Sequence, residues 1–492
     1  MTNLGKSTIY LFIAQAIYIL TGQGIHFFLG RYLGPENYGV YGVILTLMMT
    51  INLLLITGIP TAVSKFISED IKNANYIKNK ALKLQFLISL IIAFFYFLSA
   101  DFISFLLKDP SLVNYIKLSA LIFPTYSVFA IYIYYFNGLQ QFYRQSILNI
   151  LYSIFRLALI IPLVLMFKIK GAILAFIFTP LFTLIFATLF KKCDYEKREI
   201  KDIYGKLIRF AFPVVIFSVF LNILINIDLW FVKFFLTNFE TGLYTASSSL
   251  SKMVYLGIIV IGAIIFPAIS SSFALKDMER TKSLINHSLR YLLIILLPLI
   301  TYIIIRSNKI ILIAYGFEYY SAWQSLSILI LGIGFLTLFF IFTTIINAIG
   351  TPNKSMYLVI LGLLISIILN YLLIPIYGLN GAAIATTITG LIILFISGIM
   401  INNKFGLGLK AKFILNIILP LFISCLIIPI FSFISSNEFM IIPESFLFFG
   451  FYFLLLTFVF KEITLDDIRR LQRSIPFSNK FKFLFNFLEG KI

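Results

Sequence analysis

The sequence is poor in charged residues and in cysteine. Charged side chains make up only 12% of its 492 residues, whereas an ordinary soluble domain carries about 25%. Most of its surface must therefore face something other than water. The two cysteines, Cys193 and Cys425, lie far apart, and this spacing predicts neither a disulfide framework nor a metal site. The sequence also lacks a GxxxxGK[ST] phosphate-binding motif, which argues against a nucleotide-driven pump.

Hydrophobic residues dominate the chain instead. They make up 60% of it, and the mean hydropathy is +1.01. Apolar runs of about twenty residues recur from end to end, and each can cross roughly 30 Å of hydrocarbon as a helix. Membrane barrels show weak alternation rather than continuous apolar blocks. The sequence thus predicts an all-α integral membrane protein with about fourteen transmembrane helices.

The second half of the sequence repeats parts of the first half in the same order. An offset of 203 residues places Gly39 on Gly242. Farther along, an offset of 210 places GAILA at 171–175 on GAAIA at 381–385. These matches fall at corresponding places along the predicted helices. We therefore expect two six-helix lobes in a pseudo-twofold parallel repeat, an arrangement common in transporters, whose substrate sites lie between the lobes.

This repeat divides the chain into five parts. They are an N-terminal lobe at 1–190, a cytoplasmic linker at 191–206, a C-terminal lobe at 207–401, two extra helices at 402–460, and a cytoplasmic tail at 461–492. The tail mixes Phe with Lys and Arg, which suits an amphipathic helix at the inner membrane surface. Within the lobes, short hairpin loops are expected at 168–170 and 376–380.

The net charge of +19 follows the predicted topology. Most Lys and Arg residues fall on one side of the membrane. Only six fall in the opposite loops: Arg31, Lys108, Lys168, Lys170, Arg306 and Lys309. The positive-inside rule then predicts a multi-pass protein of the cell membrane with both termini in the cytoplasm. No soluble segment is long enough to form a basic nucleic-acid-binding domain, so we expect no nucleic-acid partner.

One arginine lies near the middle of the fifth predicted helix. Arg156 occurs within SIFRLALIIP, and an arginine at the bilayer centre costs about 3 kcal/mol on insertion scales. It should therefore face a wet cavity or pair with an acid. Asp228 is the acid available at that depth, and cavity function and ion pairing are compatible.

The seventh predicted helix carries a polar stripe. Its members fall on one face at 100° per residue and are Ser218, Asn222, Asn226 and Lys233. The 203-residue offset places Gln15, Ile19, Gln23 and Gly30 on the same stripe of the first helix. Each lobe would then begin with a helix that shows polar residues to one cavity. Hydrogen bonding between helices is the alternative explanation.

Further cations suggest a series of sites at increasing depth. Lys65, with Glu69, marks the cytoplasmic end of the second helix, while Lys252 and Lys233 lie toward the outer face. Such a series suits an anionic substrate, because phosphate oxygens accept charge-assisted hydrogen bonds from Lys and Arg. Arg31 is a candidate at the outer mouth. Snorkelling to the interface explains Lys233 almost as well, and the lone His26 is better explained by packing than by ligand binding.

Several stretches together resemble a known family. GRYLGPENYGVYG at 30–42 is followed by GIPTAVSKFISED at 58–70, and FFLTNFETGLYTASSSLSKM at 234–253 echoes them. These stretches, with NAIGTPNKSMYLVILGLLISIILNYLLIPIYGLNGAAIAT at 347–386, resemble the polysaccharide biosynthesis or Wzx-type oligosaccharide flippases. That family belongs to the multidrug/oligosaccharidyl-lipid/polysaccharide exporter superfamily. The resemblance covers at least the first twelve helices.

The resemblance implies a function. It implies alternating access through a cationic cavity, with a polyprenyl- or dolichyl-diphosphate-linked saccharide moved from the inner to the outer leaflet. We expect a monomer in contact with membrane lipids and with glycan assembly enzymes, and no cofactor other than a coupling ion. The related lipid II flippases use two extra helices to hold the lipid tail, as helices 13 and 14 could here. This sequence lacks the several arginines that those flippases place on their first two helices.

Two other functions stay open at the level of sequence. A cation-coupled multidrug exporter of the same superfamily would prefer an acidic cavity, and the excess of intramembrane cations argues against it. A membrane-embedded glycan polymerase or ligase would depend on long outer loops, whereas the longest here, about 306–321, is short.

Overall fold

The computed structural model describes residues 4–190, 202–406, 408, 411–429 and 438–463, and no strand occurs in these ranges. The main α-helices are α1 (Leu4–Thr57), α2 (Ile59–Glu69), α3 (Ala74–Leu98), α4 (Ala100–Leu106), α5 (Leu112–Ser119), α6 (Ile122–Gly138), α7 (Phe142–Leu189), α8 (Ile203–Phe235), α9 (Asn238–Ala274), α10 (Met278–Tyr315), α11 (Trp323–Ala348), α12 (Pro352–Phe405), α13 (Ala411–Cys425) and α14 (Ile441–Leu454). Most of the predicted linker and tail lie outside the described residues.

Ten helical segments of the described chain are long and apolar enough to cross a membrane, so the prediction of an all-α, multi-pass membrane protein is confirmed. Their outer faces carry large apolar side chains that a soluble protein would bury. Phe95 and Phe395, for example, are 64% and 68% exposed. These faces suit contact with lipid.

The longest helices are interrupted by single residues at which the chain reverses. α7 has 48 residues and would extend about 72 Å if straight, more than twice the hydrocarbon thickness. Its break is at Lys168, with φ 50° and ψ −127°. A Cβ on Gly171 would lie 1.9 Å from the carbonyl oxygen of Leu163, which is possible only where the helix folds back on itself. A hairpin therefore forms at the position expected from the sequence.

The second half of the chain contains the same hairpin 210 residues later. α12 is interrupted at Gly378, with φ 56° and ψ −133°, and a Cβ on Gly381 would lie 2.2 Å from the carbonyl oxygen of Leu373. The turns after α6 and α11 also correspond at this offset. They place Gln140 and Gly350 at positive φ. The sequence repeat is therefore also a repeat of backbone conformation.

The two copies of the glycine motif lie against each other. α1 breaks at Gly34, and Pro35 begins its second arm; we call residues 4–33 the first arm and 35–57 the second arm. A Cβ on Gly39 would lie 2.3 Å from the carbonyl oxygen of Asn238, and one on Gly242 would lie 1.8 Å from that of Pro35. At the 203-residue offset Gly39 corresponds to Gly242 and Pro35 corresponds to Asn238. The two contacts are therefore equivalent, and the second arm of α1 and α9 pack reciprocally. The close approach requires glycine.

α10 holds the C-terminal helices. Arg306, which was expected in an outer loop, lies at a break within α10, with φ −107° and ψ 15°. It is buried there, and its guanidinium contacts both carboxylate oxygens of Glu444 in α14 at 2.6 and 2.7 Å. The Tyr302 hydroxyl donates to the Ile441 carbonyl at 2.9 Å. Nearer the start of α10, Arg290 pairs with Glu462. These contacts fix α14 and the residues after it along one side of α10.

Candidate functional site

A cavity of about 580 Å³ lies between α1, α7, α8, α9 and α11. Its walls repeat the internal symmetry of the chain. The first arm of α1 contributes Tyr18, Ile19, Gly22, Gln23 and His26, and α8 contributes Leu221, Asn222, Ile225, Asn226 and Leu229. Each residue of the second set follows its counterpart by 203 positions. The polar stripes expected on the two helices thus face one cavity through Gln23, Ser218, Asn222 and Asn226.

Five positions on each of two further helical segments obey the same offset. The second arm of α1 contributes Gly42, Leu45, Thr46, Met49 and Leu53, and α9 contributes Thr245, Ser248, Ser249, Lys252 and Leu256. The pairing is again residue for residue at 203 positions. The cavity therefore lies between equivalent surfaces of the two repeats.

The chemistry of the cavity is much less symmetric than its shape. Lys252 is the counterpart of Met49 at the 203-residue offset, and His26 is the counterpart of Leu229. Arg156 lines the cavity from α7, but Ser366, its counterpart at the 210-residue offset, does not. Three basic side chains therefore face the cavity. Their counterparts in the other repeat are either apolar or lie outside the cavity lining.

Arg156 is buried against aromatic rings. Its guanidinium carbon lies 4.7 Å from the ring centroid of Tyr18 and 5.8 Å from that of Tyr152. One terminal nitrogen donates to the Tyr18 carbonyl at 3.4 Å, and Nε is buried with no hydrogen-bond partner among the described residues. Cation–π contact offsets part of the cost of burying the charge. Because this contact uses the face of the guanidinium group, its N–H donors are left available to a ligand.

Lys252 is held by a chain of amides. Its ammonium donates to Oδ1 of Asn226 at 2.9 Å. Nδ2 of Asn226 donates to Oδ1 of Asn222 at 3.2 Å, and that oxygen also accepts from the Thr50 hydroxyl at 2.8 Å. Because an amide has distinct donor and acceptor ends, these contacts orient the Asn226 oxygen toward Lys252. On the facing helices, Gln23 bonds Ser249 at 3.2 Å.

In the part of the chain that the structure describes, no acidic side chain lines the cavity. Asp228 is buried behind the wall, where Oδ2 accepts from Tyr244 at 2.7 Å and from Thr386 at 3.2 Å. Within the described ranges, neither Arg156 nor Lys252 has a carboxylate at ion-pair distance. The pair between Arg156 and Asp228 that the sequence left open is thus not formed, and the cavity is cationic.

Lys233 does not line the cavity. It is buried in an ion pair, with Nζ 2.7 Å from Asp109, and it also bonds Asn238. Asp109 follows α4 and accepts from the Ser111 hydroxyl at 2.6 Å. Burial alone would raise the pKa of Asp109, but the hydrogen bonds from Lys233 and Ser111 outweigh it, so this pKa is lowered. Lys233 therefore has a structural partner and no longer belongs among the cavity candidates.

Lys65, Glu69 and Arg31 also lie outside the cavity lining. The first two are exposed and 3.9 Å apart on α2, and the Lys65 ammonium lies 4.5 Å from the ring centroid of Phe210. Arg31 donates to the carbonyls of Ile313 and Ala314 at the end of α10. A cation at that end satisfies free carbonyls and opposes the helix dipole.

The sequence did not identify the aromatic part of the site. Tyr18, Tyr41, Tyr255, Phe217 and Phe340 all line the cavity. Aromatic residues make up 17% of the chain, so these had no distinguishing signal. Together the walls offer two unpaired cations, amides, hydroxyls and flat apolar surfaces. Such a site suits an anion attached to a larger polar group.

Known proteins show which family shares this organisation. The sequence model of the family described as "Polysaccharide biosynthesis protein" matches residues 4–273, more than half of the chain. An uncharacterized membrane protein of Methanocaldococcus jannaschii is 23% identical over 80% of this chain and 97% of its own length. A putative O-antigen transporter of Shigella flexneri is 24% identical over 78% of this chain and 94% of its own length.

Solved structures show the same fold. The inward closed conformation of the lipid II flippase MurJ matches with a TM-score of 0.71 at 16% identity, covering 93% of this chain and 98% of that one. An inward-facing MATE family multidrug transporter matches with a TM-score of 0.65 at 14% identity, covering 81% and 98%. The resemblance seen in the sequence motifs is confirmed. The chain belongs to the polysaccharide biosynthesis protein family and is a multi-pass membrane transporter rather than an enzyme.

Proposed function

We propose that this protein is a flippase for a polyprenyl- or dolichyl-diphosphate-linked saccharide, which it moves from the inner to the outer leaflet by alternating access. The observation that carries the proposal is the charge of the cavity. Among the described residues, Arg156 and Lys252 face it without a carboxylate partner, and no acidic residue lines it. The family description and the relative named as an O-antigen transporter support a saccharide cargo.

The physical task explains why two cations are needed. A diphosphate joined to a sugar cannot enter hydrocarbon without losing its hydration, and burying unpaired charge is very costly. Arg156 and Lys252 replace that hydration with charge-assisted hydrogen bonds. The amides and hydroxyls of Gln23, Asn222 and Ser249 bond sugar hydroxyls, and the aromatic walls cover sugar faces. The lipid tail stays in the bilayer throughout.

The internal symmetry supports a particular architecture. We infer fourteen crossings, arranged as lobes 1–190 and 207–401 with two further helices at 402–460. The reciprocal contact of Gly39 and Gly242, together with the matched cavity walls, supports an axis between the lobes. Rocking of one lobe against the other would expose the cavity to each leaflet in turn. Both termini lie in the cytoplasm, and α13 and α14 guide the lipid tail.

A multidrug exporter for organic cations is the second candidate, because the MATE transporter shares the fold. Fold alone does not decide the cargo. A cationic drug brought beside Arg156 and Lys252 would meet two like charges and no acid, which opposes binding in a low-dielectric site. The described cavity therefore favours the anionic cargo.

Binding of a prenyl diphosphate tests this choice. Purified protein is titrated with farnesyl diphosphate, and separately with ethidium as an organic cation. We expect the diphosphate to bind and Arg156→Gln to weaken it by about tenfold or more, since hydrogen bonds to charged groups contribute about 1.5–3 kcal/mol. Arg209→Gln, which changes an exposed arginine of α8, is the matched control and should bind normally. Tight binding of ethidium with none of the diphosphate would contradict the proposal.

A further inference from the structure

Arg156 reaches from α7 to the first arm of α1. Its Nη2 donates to the Tyr18 carbonyl at 3.4 Å, and its guanidinium carbon lies 4.7 Å from the Tyr18 ring centroid. One residue of α1 therefore offers the guanidinium both a carbonyl oxygen and an aromatic face. The proposed function uses Arg156 to bind a diphosphate, but it gives no role to the surface on which the guanidinium rests.

Gly22 leaves open the space beside the guanidinium. It follows Tyr18 by four residues, so the two lie on one face of the helix. A Cβ on Gly22 would lie 3.2 Å from Nη2 of Arg156, whereas atoms in favourable van der Waals contact lie about 3.5–4.0 Å apart. The guanidinium would have to move to accommodate even a methyl group. We refer to Tyr18 and Gly22 together as the Arg156 contact surface.

The second repeat carries different residues at these positions. The counterparts of Tyr18 and Gly22 at the 203-residue offset are Leu221 and Ile225, which line the cavity from α8. Neither offers an aromatic face, and Ile225 has a side chain where the first repeat has none. The counterpart of the arginine itself is Ser366. The arginine and its contact surface therefore occur together in one repeat and are replaced together in the other.

Tyr152 adds a second ring from α7. Its ring centroid lies 5.8 Å from the guanidinium carbon of Arg156. This ring is itself stacked on Phe129 of α6, with centroids 5.2 Å apart and planes at 15°. The guanidinium is thus confined by two aromatic rings and by the backbone of α1. Its orientation is set before a ligand arrives.

We propose that Tyr18 and Gly22 are positioning residues of the diphosphate site, which hold the Arg156 guanidinium so that its edge binds two oxygens of one phosphate. This inference rests on the proposed function, because it requires a phosphate beside Arg156. The cation–π contact occupies the face of the group, while its N–H donors lie in the plane and match phosphate oxygens in pairs. A side chain that is held in advance also loses less conformational freedom on binding.

Replacing the contact surface with the residues of the second repeat tests this role. Farnesyl diphosphate is titrated into the purified wild type, Tyr18→Leu and Gly22→Ile. We expect each variant to bind about fivefold more weakly or worse, a factor that matches the loss of one cation–π contact. Tyr18→Phe keeps an aromatic face and should recover most of the affinity. Gly24→Ala is the control, because its Cβ would have no neighbour within 4 Å.

Gly22→Ala separates positioning from folding. Alanine is favoured over glycine in a helix interior, so the midpoint of thermal unfolding should not fall. The affinity for farnesyl diphosphate should nevertheless fall, because the new Cβ would lie 3.2 Å from Nη2 of Arg156. Unchanged affinity in both Gly22→Ala and Gly22→Ile would show that the space beside the guanidinium has no effect on binding.

A double-mutant cycle shows whether the contact surface acts through Arg156. Arg156→Gln has no guanidinium to position, so adding Tyr18→Leu or Gly22→Ile to it should cause no further loss of affinity. Equal losses with and without Arg156 would mean that these side chains act on the ligand or on the fold directly, and would overturn this inference alone. Absence of binding to the wild type, or full binding to Arg156→Gln, would overturn the proposed function and this inference with it.

Discussion

Gly39 and Gly242 lie against each other at equivalent positions of the two repeats. A Cβ on Gly39 would lie 2.6 Å from the backbone nitrogen of Gly242. The neighbouring contacts are reciprocal, and the walls of the cavity match at the same 203-residue offset. The motif at this point therefore has a packing role. Its duplication places two equivalent helices side by side along the cavity.

Adding a methyl group at this contact should destabilise the protein. In Gly242→Ala, Cβ would lie 1.8 Å from the carbonyl oxygen of Pro35, and overpacking of this kind costs about 1–3 kcal/mol. The midpoint of thermal unfolding in detergent measures the effect. Gly24→Ala is the control, because its Cβ would have no neighbour within 4 Å. Equal unfolding midpoints for the two variants would contradict the close packing.

The buried pair of Lys233 and Asp109 should contribute strongly to stability. Asp109→Asn leaves the ammonium buried without its acid, and breaking such a pair costs about 3–5 kcal/mol. The exposed pair of Lys117 and Asp101, 3.0 Å apart, offers a control, and Asp101→Asn should cost no more than about 1 kcal/mol. Unfolding in denaturant measures both changes. Similar losses from the two variants would argue against a buried pair at 233.

The same pair should weaken in acid. The folded protein lowers the pKa of Asp109 through Lys233 and Ser111, against the opposing effect of burial. A lowered pKa contributes stability above the unfolded value of about 3.9, and this contribution is lost as the pH falls through the folded value. The stability difference between wild type and Asp109→Asn should thus be largest near neutral pH and shrink below about pH 3.9. A difference that grows in acid would contradict this assignment.

Exchanging charge across the cavity tests whether the two repeats share one site. Lys252→Met makes position 252 identical to its counterpart, Met49. Affinity for farnesyl diphosphate should then fall by about tenfold or more, as one charged hydrogen-bond donor is lost. Adding Met49→Lys to this variant should restore part of the affinity, because both positions line the same cavity. Lys83→Met, at an exposed position of α3, should bind as the wild type does.

Failure of Met49→Lys to recover any binding, with both proteins folded, would show that the symmetry of shape does not extend to ligand contact. Full retention of affinity in Lys252→Met would remove Lys252 from the proposed site.

The repeat made much of the fold predictable from sequence. The close spacing of the apolar runs predicted hairpins at 168–170 and 376–380, which the structure forms around Lys168 and Gly378. Local composition was sufficient there, because long apolar runs and the residues that interrupt them are both visible in the sequence. The polar faces of α1 and α8 were predictable for the same reason, since helical spacing fixes which residues share a face.

Long-range pairing was not predictable. Lys233 was grouped with the cavity cations because Asp109, its partner, lies far away in the sequence and outside the predicted spans. The burial of Arg306 was missed because nothing near it in the sequence indicates Glu444. Whether a cation is free or paired depends on tertiary contacts, and a single sequence does not contain them in readable form. Arg156 is a different case: the cost of burying it was evident, and the structure adds Tyr18 and Tyr152.

The central claim is that Arg156 receives the diphosphate of a lipid-linked saccharide. The most direct measurement uses cells that lack this gene and carry either the wild-type chain or Arg156→Ala, with the variant present in the membrane at the wild-type level. We predict that the variant accumulates lipid-linked saccharide on the inner leaflet and shows no surface glycan, while the wild type shows neither defect. Normal surface glycan in cells carrying Arg156→Ala would contradict the account.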